Sequence, residues 1–382
     1  MNITITPRTL RGDVKVIPSK SQAHRLLICA AFADRPTVLN CPGTNQDIEA
    51  TASCLRALGA QIDRTASGYS VIPAQCVPEK AVLECNESGS TLRFMLPIVG
   101  ALGVDGTFIL KGRLAERPLS PLWEELERMG CTLSRPSANT LRCTGKLMPG
   151  AYTIDGGISS QFVTGLMFAH MLMENSTLTI TGKLESRPYV EMTKAALDLF
   201  PNRSSPGYVE VEGDWSNGAF WLAAEALGSN LSIHGLSADP PQGDRAIVEL
   251  LQQLQAGNST ISAADIPDLV PILSVVAAAN HGAVFTEIQR LRLKESNRVA
   301  SVIAMLEALG GCATATEDTL TVSPAVLCGG IVDSCNDHRI AMATAIAATV
   351  CTGPVTILGA EAVNKSYPQF WAEYRRLGGK YA

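Results

Sequence analysis

The chain has 382 residues, too many for one hydrophobic core, so two domains are the default. It is 46% hydrophobic and 18% charged, with a formal net charge of −5, which excludes a disordered chain and argues against general nucleic-acid binding. The 11 cysteines show no Cys-x-x-Cys and no metal-like spacing, so free thiols in a reducing compartment are expected.

Met1-Asn-Ile-Thr-Ile-Thr alternates like a strand and lacks the build of a signal peptide, and no apolar stretch is long enough to span a bilayer. A cytoplasmic location is expected. Further strand-like alternation falls at residues 12–16, 107–110, 177–181, 208–211, 230–233 and 354–358. Helical patterns cover 21–33, 47–58, 90–102, 122–129, 159–173, 189–199, 217–227, 246–254, 267–279, 295–309, 337–349 and 367–377.

One phrase punctuates this order. Leu55-Arg-Ala-Leu-Gly59, Leu126-Glu-Arg-Met-Gly130, Leu306-Glu-Ala-Leu-Gly310 and Tyr374-Arg-Arg-Leu-Gly378 are clear copies; Leu197-Asp-Leu-Phe200 and Leu251-Gln-Gln-Leu-Gln-Ala-Gly257 are weaker echoes. Spacings of roughly 55–70 residues mark one supersecondary unit used six times. Each phrase pairs two apolar residues on one helix face with a Gly suited to the left-handed turn that ends a helix. Three such α/β units could surround a common axis with helices inside. The turn-rich Pro201–Gly207 is the boundary that pattern alone favours.

The polar residues gather where chain enters helix. Pro18-Ser-Lys20-Ser21 with Arg25 one turn on sets hydroxyl, ammonium and free N–H groups around one point, an anion site or a plain serine cap. Ser88-Gly89-Ser90-Thr91-Leu-Arg93 allows close backbone approach at a helix start. Arg113-Leu-Ala-Glu-Arg117-Pro, Ser159-Ser160-Gln161 and Ser186-Arg-Pro-Tyr189 are similar places. Further on come Ile266-Pro-Asp268, Lys294-Glu295-Ser-Asn-Arg298, Asn336-Asp-His338-Arg339 and the lone Lys365. Asp268 reads equally as a helix-dipole acid. The four polar groups opening the apolar 340–349 run are costly unless used. An acidic chain that collects Lys20, Arg25, Arg93, Arg117, Lys294, Arg298, Arg339 and Lys365 at loop ends suits a small polyanion, with phosphate the natural choice.

In this order, Pro-Ser-Lys-Ser-x-x-x-Arg, Ser-Gly-Ser-Thr-Leu-Arg, Glu-Arg-Pro, Ser-Ser-Gln, Ser-Arg-Pro-Tyr, Ile-Pro-Asp, Lys-Glu-Ser-Asn-Arg and Asn-Asp-His-Arg resemble the 5-enolpyruvylshikimate-3-phosphate synthase family from about residue 8 to residue 377. The resemblance implies an α/β (α+β) fold of two similar domains. Each would hold three βαβαββ units with helices packed inside, an inside-out α/β barrel. It implies a discontinuous lobe of residues 1–16 and 214–382, a lobe of 17–213, and an active site in the cleft between them. The implied reaction moves the enolpyruvyl group of phosphoenolpyruvate to the 5-hydroxyl of shikimate 3-phosphate and releases phosphate.

By the same resemblance, Ser21 and Arg25 hold the shikimate carboxylate, Ser159, Ser160 and Ser186 its phosphate, and Gln161 and Tyr189 its ring. Lys20 also touches this substrate. Lys20, Gly89, Arg117, Gln161, Arg298, His338, Arg339 and Lys365 surround phosphoenolpyruvate. Asp268 and Lys294 meet the attacking hydroxyl, with Asp268 as base, Glu295 as acid and Lys20 as a further catalytic group. No metal or cofactor is expected, no nucleic-acid or membrane partner, and a monomer. Glu87 and Arg290 stand where many members carry Asn. Leu110–Glu116 lacks the reactive Cys of the related transferase acting on UDP-N-acetylglucosamine, which favours the shikimate reading.

Overall fold

The computed structural model describes residues 1–382. In it the four clear copies of the phrase end the helices Gln46–Ala57, Leu122–Arg128, Arg298–Ala308 and Phe370–Arg376. Gly59, Gly130, Gly310 and Gly378 follow at φ of 103°, 112°, 81° and 94°, backbone that a Cβ disfavours. The chain then turns into the strands Gln61–Arg64, Cys131–Ser137, Cys312–Ala315 and Lys380–Tyr381.

The two weak echoes end the helices Arg187–Asp198 and Ile247–Ala256. Gly257 is extended there, with φ 167°, and no hairpin follows either helix. The sheets reflect this difference. Four of the six are four-stranded, each with one parallel and two antiparallel pairings; the other two hold only the parallel pairs Ala151–Asp155 with Thr177–Thr181 and Arg11–Lys15 with Asn230–His234. The hairpin is the part of the repeat that two copies lack.

The chain divides into two compact units, Met1–Ile17 with Gly213–Ala382, and Pro18–Glu212. Pro201–Gly207 is therefore no boundary. Its turn Pro201–Arg203, with Asn202 and Arg203 both left-handed, is a tight reversal inside the second unit. Arg35 donates to Ser205 O, Asp34 accepts from Ser205 N, and the chain enters Tyr208–Glu210 beside Thr37–Asn40.

Within each unit the first helix of every repeat is the buried one. Lys20–Ala31, Gly89–Leu102 and Ser160–Met171 form the interior of one unit; Trp215–Ala226, Val270–Ala279 and His338–Ala347 form that of the other. All ten residues of His338–Ala347 are buried, as expected of a helix whose Ile340–Ala347 part is almost wholly apolar. Strands such as Lys80–Asn86 alternate exposed and buried, turning one face to the helices and the other outward. Helices inside and sheets outside is the layout the repeat implied. It leaves the N-termini of the buried helices as the places where polar side chains can stand.

Candidate active site

In the Pro18–Glu212 unit, Ser19 caps the first buried helix, and Lys20 is its first residue. Lys20 Nζ lies 3.0 Å from Asp47 Oδ2, with the side chains 13% and 15% exposed. Arg25 is buried and bonded only to neutral groups: Nη1 to Ser21 O at 2.7 Å, Nη2 to Tyr189 O at 2.9 Å and Nε to Thr193 Oγ1 at 2.9 Å. Burial pulls its pKa down to about 10, so it remains a cation at neutral pH. A buried charge without a countercharge is costly and points to an anionic ligand.

Gly89 opens the next buried helix, and a side chain there would displace two guanidinium groups. A methyl there would lie 2.5 Å from Arg117 Nη1 and 2.6 Å from Arg93 Nη1. Arg93 bonds Gln161 Oε1 and Pro118 O, each at 3.1 Å, and Gln161 Nε2 reaches Ser90 Oγ at 3.0 Å. Arg117 Nε is buried and has no hydrogen-bond partner. Ser159 caps the third buried helix, and Ser160 is buried behind it. Ser186 sits at φ 53°, left-handed backbone that a serine adopts only under constraint. Ser90 to Gln161 joins the second and third of these helices, and Arg25 to Tyr189 joins the first to Arg187–Asp198; Arg25 Nη2 to Thr164 Oγ1, at 3.5 Å, links the two pairs.

The other unit is built from ion pairs. Arg298, its side chain 1% exposed, holds Asp337 Oδ2 by Nε at 2.9 Å, Asp268 Oδ1 by Nη1 at 2.5 Å and Glu295 Oε2 by Nη2 at 2.6 Å. Arg339 Nη2 takes the other Asp268 oxygen at 2.9 Å, and Lys294 Nζ lies 3.8 Å from Oδ1. Asp337 also caps the His338–Ala347 helix through Arg339 N. Lys365 Nζ donates to Asn336 O at 2.7 Å, and Asn336 is left-handed at φ 53°. His338, the first residue of that helix, is buried.

The charges retune one another. Burial alone would raise Asp268, but Arg339, Lys294 and Arg298 outweigh it and hold its carboxyl well below the ordinary 3.8. Burial brings Lys294 down to about 8, against the pull of Asp268. Asp244, buried and then repelled by Asp268, rises to about 6.

Within Pro18–Glu212 the structure brings together Lys20, Ser21, Arg25, Gly89, Arg117, Ser159, Ser160, Gln161, Ser186 and Tyr189; within the other unit it brings together Asp268, Lys294, Glu295, Arg298, His338, Arg339 and Lys365. Two local expectations shift. The helix expected from 295 begins at Arg298, so Lys294 and Glu295 precede it and approach Arg298 from a turn. The helix expected from 267 begins at Val270, freeing Asp268 from a dipole role for its two arginines. Sequence reasoning missed Asp47, Asp244, Thr193 and the anchoring role of Asp337. Their signals were ordinary: Asp47 reads as a first-turn acid after the cap Asn45, and Asp337 as a cap.

Solved structures share this fold. An EPSP synthase from Acinetobacter baumannii matches over 100% of this chain and 99% of its own, with a TM-score of 0.78 at 22% identity. The enolpyruvyl transferase NikO from Streptomyces tendae matches with a TM-score of 0.74 at 19% identity, covering 100% of this chain and 98% of that one. Among curated proteins, the 3-phosphoshikimate 1-carboxyvinyltransferase of Clostridium kluyveri is 37% identical over 417 residues, covering 99% of this chain and 97% of the relative. That of Clostridium acetobutylicum is 37% identical over 416, with 99% and 97% covered. Those alignments are longer than the 382-residue chain, so this chain carries gaps against both relatives. The family model for EPSP synthase (3-phosphoshikimate 1-carboxyvinyltransferase) matches residues 5–203 and 199–374. The chain belongs to that family.

Proposed function

We infer that the two residue sets serve a single reaction: transfer of the enolpyruvyl group of phosphoenolpyruvate to the 5-hydroxyl of shikimate 3-phosphate, with release of phosphate. Family membership over nearly the whole chain supports the substrates and the bond made. Ser21 and Arg25 receive the shikimate carboxylate, Ser159, Ser160 and Ser186 its phosphate, and Gln161 and Tyr189 its ring. Lys20, Gly89, Arg117, Gln161, Arg298, His338, Arg339 and Lys365 receive phosphoenolpyruvate. Arg25, a buried cation bonded only to neutral groups, is what an anion site needs before its ligand arrives.

Asp268 accepts the hydroxyl proton as the oxygen attacks C2, and Glu295 gives a proton to the methylene carbon, which becomes a methyl. The tetrahedral intermediate then returns a methyl proton to Glu295 while the C2–O bond to phosphate breaks, and the proton gained by Asp268 leaves with the released phosphate. The observation that carries these roles is that one buried guanidinium, Arg298, holds base and acid on its two terminal nitrogens. Asp268 clamped by two arginines is a weak base. The anionic groups of phosphoenolpyruvate draw on Arg298 and Arg339, and the carboxylate recovers basicity as they arrive. The surrounding cations stabilise charge on the intermediate without reorganising, which is electrostatic preorganisation.

We propose that the enzyme acts on two small molecules as a monomer, and that it works in the cytoplasm. No helix is long and apolar enough to cross a membrane, and 11 free cysteines, four of them exposed, suit a reducing compartment. Phosphate release is assayed with phosphoenolpyruvate and either acceptor. Release with shikimate 3-phosphate supports the reading; release only with UDP-N-acetylglucosamine overturns it.

A further inference from the structure

Behind Lys20 runs a polar chain that no step above uses. His24 is fully buried, and its Nδ1 lies 2.7 Å from Thr51 Oγ1. Thr51 Oγ1 is 2.7 Å from Thr91 Oγ1, and Thr91 Oγ1 bonds Ser88 Oγ at 2.8 Å. Ser88 caps the helix beginning at Gly89 and also accepts from Thr91 N at 3.3 Å. The chain crosses three helices, Lys20–Ala31, Gln46–Ala57 and Gly89–Leu102. Thr51 stands one turn after Asp47, the partner of Lys20. None of the four side-chain groups is more than 1% exposed, so water does not compete for these bonds.

Each hydroxyl has one hydrogen, and Thr91 Oγ1 lies nearer Ser88 Oγ, at 2.8 Å, than its other acceptor, Asp47 O, at 3.5 Å, so the chain runs one way. Running toward His24, it would put the imidazole hydrogen on Nε2, which is buried without a partner. An orphaned buried donor is heavily penalised, whereas an unused lone pair is tolerated more often. The favoured direction therefore starts at Nδ1–H and ends at Ser88. Ser88 Oγ then accepts from both Thr91 groups and keeps its own hydrogen to give at the mouth of the Gly89 helix. Burial, with Lys20 and Arg25 close by, keeps the ring neutral, so its tautomer rather than its charge sets the direction.

We propose that His24 is a positioning residue for phosphoenolpyruvate: its Nδ1–H tautomer drives a one-way hydrogen-bond chain through Thr51 and Thr91 that holds Ser88, and with it the Gly89 turn, in register with Lys20 and Asp47. This rests on the reading that Lys20, Gly89 and Arg117 receive phosphoenolpyruvate. Arg25, assigned to the other substrate, donates its bonds to Ser21, Tyr189 and Thr193 instead, so the effect is selective.

The test is steady-state kinetics on the full chain, with each substrate varied, for wild type, His24→Leu, Thr51→Val and His24→Asn. One lost buried hydrogen bond corresponds to about ten-fold in KM for phosphoenolpyruvate for either His24→Leu or Thr51→Val, with KM for shikimate 3-phosphate moving less than about two-fold. His24→Asn, whose amide N–H replaces Nδ1–H, restores KM to within about two-fold of wild type. The double variant His24→Leu/Thr51→Val is no worse than either single one, since either cut breaks the same chain. Equal rises in both KM values, a fall in Tm with both KM values unchanged, or His24→Asn as poor as His24→Leu overturns the proposal. Thr51→Val is nearly isosteric and keeps the test open should His24→Leu misfold. Wild type without turnover on shikimate 3-phosphate overturns the substrate assignment and this proposal with it, and that result is read before any variant.

Discussion

The two residue sets solve opposite electrostatic problems. In Pro18–Glu212, Arg25 is wired to carbonyls and a hydroxyl, and Arg117 Nε has no partner, so positive charge is left over. In the other unit, Arg298 alone engages three carboxylates, and Asp268 shares two arginines. The first arrangement waits for an anion from outside. The second is already paired internally and holds ionisable groups in place, which suits proton transfer, and an incoming anion there must compete with its carboxylates for Arg298 and Arg339. Buried charge thus has two fates in one molecule, set by whether the neighbouring residue is Thr or Asp.

If that contrast is right, substitutions should separate rate from stability. The largest effect on rate is expected from Lys20→Ala and Glu295→Gln, each lowering turnover by about 10²–10⁴-fold with the fold intact, read by phosphate release and circular dichroism. A double variant with near-wild-type rate would refute both roles. The largest effect on stability is expected at Arg298→Leu. It removes the buried arginine that Asp337, Asp268 and Glu295 share and should cost about 3–5 kcal/mol, visible in urea unfolding. Lys20→Ala, which breaks a single pair rather than three, should cost less than Arg298→Leu. Equal losses from the two would erase the distinction.

Gly89→Ala should come next. Its methyl pushes Arg117 and Arg93 apart, raising KM for phosphoenolpyruvate without a comparable change for shikimate 3-phosphate. The smallest effects are pH effects. Lys294, with its pKa brought to about 8, loses its proton as pH rises through that value, so kcat/KM should fall on the alkaline side. Lys294→Arg should move that limb upward. His24, buried beside Lys20 and Arg25, titrates well below its ordinary 6.5 when folded. The unfolded chain binds that proton first as pH drops, so stability holds above 6.5 and declines below it. His24→Asn should flatten part of that decline in urea titrations at pH 7 and pH 5.5.

The repeat was legible because the Gly-ended phrase marks a physical event, the left-handed exit from a helix into a hairpin. Where the hairpin is missing, after Asp198 and Ala256, the phrase decays, and the weak echoes are the two-stranded repeats. Helix starts were legible too, because caps such as Ser19, Ser159 and Asp337 have short-range chemistry. Many strands were not: Gln61–Arg64 buries a single residue, and Cys312–Ala315 is mostly small side chains. Cross-chain pairings were also invisible. Nothing near Asp47 announces Lys20, and nothing near Asp337 announces Arg298, because those bonds are made by packing between helices far apart in sequence.

The division between capture and chemistry is tested most directly in Glu295→Gln, by titrating it with shikimate 3-phosphate and then measuring phosphate release on adding phosphoenolpyruvate. The account predicts near-wild-type affinity for shikimate 3-phosphate and almost no phosphate. Phosphate release at the wild-type rate would contradict it.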